Sequence, residues 1–198
     1  ASTADWLLGH HLFDDYYCGF AAGVAEEAVA RSIAAAPELR QNSPQGLAVL
    51  AEALMRSGIS MVLAGSSAPA SGGEHLISHL WDMNAHWTGR TPALHGQQTG
   101  VTTLISLKLY EKLLALDDDH IRRLCLAEAE VEALDRFEQR LSSAFGDLAA
   151  AVLPFAREKY LDARALKARR QLILTRWPAI RQAVAGVSLR VARGELYG

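Results

Sequence analysis

Three histidines, His75, His79 and His95, stand in one short stretch of this chain and are its residues best suited to chemistry. The first two lie in Ser71-Gly72-Gly73-Glu74-His75-Leu76-Ile77-Ser78-His79, and the third in Leu94-His95-Gly96-Gln97-Gln98. The spacing predicts that a Gly/Ser/Pro loop, Gly65 to Gly73, opens into a helix with His75 in its first turn and His79 one turn on. A second loop delivers His95 to the start of another helix. Two imidazoles at two helix starts, each beside glycine, can converge on one divalent metal ion. Catalytic sites of the zinc type often combine two histidines, one carboxylate and an open position. Imidazole with carboxylate suits Zn, Ni or Fe alike, zinc first among them. The plain alternative is a solvent-exposed helix-start histidine at 75 and a loop histidine at 95.

The neighbours have their own alternatives. His79 shares a helix face with His75, so it can ligate, pack, or move a proton to and from a substrate. Glu74 can cap backbone N–H groups or support a metal ligand from behind, and capping is favoured. Ser66, Ser67 and Ser71 can bind substrate hydroxyls or a phosphate, or simply stabilise the loop. His10, His11, His86 and His120 read as surface or packing residues. Trp81, Trp87, Tyr16 and Tyr17 have the size for packing, and the basic run from Arg164 to Arg170 reads as a solvated face.

The elements that must position these residues are helices. Gly19 to Ala36 is alanine-rich and should stop before Pro37. Ser43-Pro44 is a start signal for a helix over 45–64, with serine at the cap and proline at the first helical position. Its last turns, Ile59 to Ala64, are apolar on every side and should form the buried centre, near Leu50, Leu54 and 104–107. Further helices are expected over 74–88, 96–115 and 128–145, with Asp117 to Asp119 capping a short one. A last set over 148–191 should break near Pro154 and Pro178. No strand alternation stands out, so the expected fold is an all-α multi-helix bundle in one domain, residues 1–198.

Composition narrows the classes of partner. A chain of 198 residues with 50% hydrophobic and 21% charged residues suits a globular protein with a sizeable core. A net charge of −2 gives no footprint for nucleic acid. The apolar runs read as too short for a membrane span, and no signal peptide is visible. Cys18 and Cys125 lie outside any CxxC pattern and read as inert thiols of a cytoplasmic protein.

The motifs also carry a resemblance. Ser-Gly-Gly-Glu-His-x3-His followed by Leu-His-Gly-x-Gln resembles the metal-binding half of the sn-glycerol-1-phosphate dehydrogenases, relatives of 3-dehydroquinate synthase and the iron-containing alcohol dehydrogenases. Thr3-Ala4-Asp5-Trp6 resembles the segment just after that family's first metal ligand, an aspartate. The resemblance runs from about residue 3 to residue 110. It implies the helical C-terminal domain of an NAD(P)-dependent, metal-dependent polyol or polyol-phosphate dehydrogenase. It further implies His75 and His95 as metal ligands and His79 as a proton-transfer residue beside the substrate. The dinucleotide-binding domain and the aspartate ligand are expected to lie outside this chain, since no glycine-rich strand-turn-helix fingerprint is present. NAD(P) would then need that other domain, and the chain alone should not turn over. A homo-oligomer is compatible with this. Two departures stand out: Ala68 where the family commonly has arginine, the side chain best suited to phosphate, and Gln97 where many members have glutamate. Two other readings stay open: a stand-alone helical binding or assembly module, and a cyclase like 3-dehydroquinate synthase.

Overall fold

A computed structural model describes residues 2–128 and 130–191. Among these residues it contains ten α-helices, one 3₁₀ turn and no strand, so the fold is all-α. The chain divides into two compact units, one built from the residues up to Leu116 with those from Pro178 onward, the other spanning Asp117–Trp177.

The first unit begins with α1 (Ser2–Phe13), α2 (Gly19–Ala34) and the short α3 (Ala36–Arg40). Trp6 of α1 is buried against Ala21 and Ala22, lies tilted against Tyr17 with ring centres 4.8 Å apart, and donates its indole N–H to the Tyr16 carbonyl at 2.5 Å. Helix α4 (Pro44–Ala64) starts where the sequence predicts: the Ser43 hydroxyl accepts from the Gly46 N–H and Pro44 takes the first turn. It ends at Gly65, whose φ of 65° is the left-handed conformation that glycine adopts without penalty.

The buried face of α4 differs from expectation. Gly46, Ala53 and Ser60 are its buried residues, whereas Ile59, Val62 and Leu63 are exposed, Val62 at 82%. Leu54, Leu104 and Ile105 are exposed too, and of the large apolar residues of that expected centre only Leu107 is buried. The reason is the partner helix. The buried residues of α2 are Ala21, Ala22, Ala25 and Ala28, and a face of alanines admits close approach only to another small face. The small buried residues of α4 recur every seven positions, which keeps them on one face. Gly46 lies against α3, where a Cβ would come within 2.8 Å of the backbone. Helices α2 and α4 are fastened at their rim by Arg31, which forks onto Glu52 at 2.5 and 2.7 Å, and by Arg56, which reaches Glu27 at 3.4 Å. By length and composition alone α4 is also apolar enough to cross a membrane, with a mean hydropathy of 1.6, which corrects the expectation that no run is long enough.

Helices α5 (Gly73–Trp87) and α6 (His95–Leu114) complete this run as a packed pair. The buried residues of α5 are Glu74 and Ser78, and those of α6 are Gln98, Thr102, Ser106, Leu107 and Tyr110.

In the second unit, α7 (Asp118–Leu126) is capped by Asp117, as expected. Helix α8 (Leu134–Phe145) starts later than predicted, and α9 (Ala149–Lys159) follows a 3₁₀ turn. Arg157 forks onto Glu138 at 2.6 and 2.9 Å, and Tyr160 packs on Phe137 at 5.3 Å. The last helix, α10 (Ala163–Val191), continues through Pro178, just as α9 continues through Pro154. The break falls instead at 160–162, where the Asp162 carboxylate caps the Ala165 N–H at 2.7 Å. Cys18 and Cys125 are half-buried thiols without a disulfide.

Candidate metal centre

Gly72 and Gly73 bring the start of α5 against α1. Asp5 accepts the Gly73 N–H at 2.6 Å through Oδ2 and the Tyr110 hydroxyl through Oδ1. A Cβ on Gly72 would lie 2.9 Å from both Glu74 Oε2 and the Ser2 Cα, and closer still to Asp5 Oδ2, so only glycine fits. Burial and the adjacent Asp5 carboxylate push the Tyr110 phenol well above its ordinary value, so it remains a donor.

Glu74 is 4% exposed. Its Oε1 accepts from the Ser2 hydroxyl at 2.6 Å and the Gly72 N–H at 3.0 Å, and meets His75 Nδ1 at 3.0 Å. Burial alone would raise the Glu74 carboxyl. The bonds from Ser2, His75 and the Glu74 and Gly72 N–H groups outweigh it and hold the group below the ordinary carboxylate range. Its Oε2 is buried without a hydrogen-bond partner among the described residues. Both roles weighed for Glu74, backbone capping and support of a histidine, are therefore present in its contacts.

His95, at the first position of α6, comes to the same place. Its Nδ1 lies 3.3 Å from the buried Ser78 hydroxyl. The three imidazoles cluster: ring centres are 5.2 Å apart for His75 and His95, 6.1 Å for His79 and His95, and 6.2 Å for His75 and His79. Bonds of about 2.0–2.1 Å at tetrahedral angles would place two imidazole centres on one zinc-type ion roughly 5 Å apart. The spacing of His75 and His95 fits that. Their Nδ1 atoms are engaged with Glu74 and Ser78, so Nε2 is the atom each can offer to a cation. Among the described residues no group of three or more His, Cys, Asp or Glu is arranged to hold a metal by itself, so the pair is a partial donor set.

The remaining candidates are less concentrated. Ser66, Ser67 and Ser71 line the turn after α4: Ser66 and Ser67 are exposed and Ser71 is half-buried. The Ser66 hydroxyl accepts from the Ala68 N–H at 3.4 Å, and the Ser67 carbonyl takes the Ala70 and Ser71 N–H groups. Ala68 packs against the Trp6 cluster. His10, His86 and His120 are exposed. Sequence reasoning missed Tyr110, Ser78, Gln98 and the bonding role of Asp5. The signal was there as polar residues four apart, Glu74/Ser78/Asp82 on α5 and Gln98/Thr102/Ser106/Tyr110 on α6.

No family model matches the chain, and no solved structure matches it. Curated relatives do. It is 36% identical over 112 residues to a glycerol-1-phosphate dehydrogenase [NAD(P)+] of Geobacillus stearothermophilus. Over 109 residues it is 41% identical to that of Pyrococcus horikoshii and 42% identical to that of Staphylothermus marinus. These matches cover 55–57% of this chain but only 28–30% of each relative. More than half of this all-helical chain is thus homologous to a segment of the glycerol-1-phosphate dehydrogenases, as expected for their helical C-terminal domain.

Proposed function

We propose that the chain is the metal- and substrate-binding helical domain of an NAD(P)-dependent polyol or polyol-phosphate dehydrogenase. The observation that carries this is the convergence of His75, His79 and His95, with Nε2 of His75 and His95 available, in a chain similar to glycerol-1-phosphate dehydrogenases. His75 and His95 would hold a divalent ion, zinc before nickel or iron, with a carboxylate from outside this chain completing the set. When bound, such an ion supplies Lewis acidity toward a substrate oxygen.

The chain's own residues account for the rest. Glu74 and Ser78 fix the two ligand rings from behind. His79 is exposed, and its ring lies beside those of His75 and His95. In this reading His79 would pass a proton between solvent and a substrate hydroxyl, a task suited to imidazole. Ser66, Ser67 and Ser71 offer hydroxyls to a polyol. Ala68 cannot grip a phosphate as an arginine would, which favours a polyol over its phosphate. A nicotinamide cofactor held by a separate dinucleotide-binding domain would supply the hydride. A cytoplasmic location and a homo-oligomeric enzyme go with this reading.

Calorimetric titration with Zn²⁺ tests it. Wild type and His79→Ala should bind one ion, and His75→Ala and His95→Ala should lose that binding. No binding by wild type, or unchanged binding after both ligand substitutions, would refute the site. Cobalt-loaded chain should then change its visible spectrum on adding glycerol. The second reading, a stand-alone helical module, is favoured by the packing of Ala68 into the Trp6 cluster and by the partial donor set. It expects neither response.

A further inference from the structure

Behind His95 lies a chain of buried polar groups whose hydrogen atoms can be placed by elimination. Gln98 is 4% exposed and Ser78 fully buried. The Gln98 side-chain amide points one end at Asp82 Oδ1, 2.5 Å away, and at the Ala93 carbonyl, 3.0 Å away. Both are acceptors, so that end is the NH₂ group. The other end, Oε1, therefore faces Ser78 Oγ at 3.2 Å. An amide oxygen only accepts, so the single hydroxyl proton of Ser78 goes to Gln98. Ser78 then has only lone pairs left for His95 Nδ1, 3.3 Å away. His95 must carry its proton on Nδ1, and its lone pair sits on Nε2.

His75 reaches the same state by a shorter route. Its Nδ1 faces Glu74 Oε1 at 3.0 Å, and a carboxylate accepts only. We propose that the Asp82–Gln98–Ser78 chain and Glu74 are positioning devices that hold His95 and His75 as Nδ1–H tautomers, so that both rings present Nε2 lone pairs toward one point before any cation arrives. The free histidine side chain favours the opposite tautomer, so the buried network reverses an intrinsic preference. The purpose given to the Nε2 atoms rests on the metal-site reading; the tautomers do not.

Long-range ¹⁵N–¹H correlation spectra of the metal-free, ¹⁵N-histidine-labelled chain read this directly in mildly alkaline buffer, with signals assigned through His95→Ala and His75→Ala. The expected result is the Nδ1–H pattern at both positions. Ser78→Ala should move His95 toward the Nε2–H form, leave His75 unchanged, and weaken Zn²⁺ binding about 10- to 100-fold, the usual effect of losing support behind a ligand. Asp82→Asn is the milder variant. It keeps the shape and removes one of the two acceptors that orient the Gln98 amide, the Ala93 carbonyl remaining, so His95 should shift toward the Nε2–H form by less than in Ser78→Ala. A wild-type Nε2–H signal at His95, or a His95 signal that neither substitution moves, would overturn the proposal. Nδ1–H signals at both rings in a chain that binds no Zn²⁺ would instead sink the metal reading and leave the tautomers standing.

Discussion

The buried residues of α2 and α4 are alanine, glycine and a single serine; those of α5 and α6 are glutamate, serine, glutamine, threonine and tyrosine, with Leu107 the one large apolar member. The first seam holds by close approach of backbones, with its charged groups, Arg31, Glu52 and Arg56, left at the rim. The second holds by hydrogen bonds, from Ser78 to Gln98 and from Gln98 to Asp82 across it, and from Tyr110 and Glu74 outward to Asp5 and Ser2 of α1. A small-residue seam is sensitive to volume and indifferent to protons. A polar seam is the reverse: each lost partner leaves a buried group unsatisfied. The histidines sit on the polar seam because their orientation needs partners that alanine cannot supply.

Substitutions can break this contrast. The largest expected effect is Ala21→Leu, which forces added volume into the fully buried α2 face beside Trp6 and should cost about 3 kcal/mol in urea unfolding. Tyr110→Phe should cost about 2 kcal/mol, because it strips a donor from the half-buried Asp5 carboxylate. It should also change the alkaline limb. The folded phenol titrates above its unfolded value of about 10, so its stabilisation is complete below that pH and declines as pH rises past it. Wild type should lose stability there, and Tyr110→Phe should flatten the loss. Thr102→Val keeps the shape and removes a hydroxyl bonded only to its own helix carbonyls, so it should cost about 1 kcal/mol or less. If Thr102→Val proved costlier than Ala21→Leu, the division between the seams would be wrong.

The smallest effect is expected at the rim. Hydrogen bonds from Arg56 and Arg31 hold the Glu52 carboxyl below its ordinary value. Its contribution is present above the unfolded carboxylate pKa of about 4.3 and disappears as pH falls through the lower folded value. Glu52→Gln should flatten that acid limb slightly in thermal melts at low salt, and the difference should vanish at high salt because the pair is exposed.

Much of the fold was legible because caps are local. Ser43-Pro44 and Asp117 announce their helices by chemistry that acts within a turn. The face of α4 was not legible, since a helix apolar all round hides its direction and only the alanines of α2 reveal it. Pro154 and Pro178 misled because a proline removes one backbone bond without ending the helix on both sides. Residue type and flanking glycines made His75 and His95 visible. Ser78, Gln98 and Tyr110 stayed hidden because polar residues four apart look like a solvated face until a second such stripe packs on them.

The bond between Asp5 and Tyr110 has a kinetic consequence. Helix pairs such as α5 with α6 close short loops and can form early, whereas joining residue 5 to residue 110, or Ser2 to Glu74, must overcome the entropy of a far longer loop. The glycine turn bearing His75 is fastened to α1 by the bond from the Gly73 N–H to Asp5 and by the bond from Ser2 to Glu74. The imidazole cluster therefore acquires its final geometry only when the chain has closed on itself, and its assembly is a timer for the end of folding.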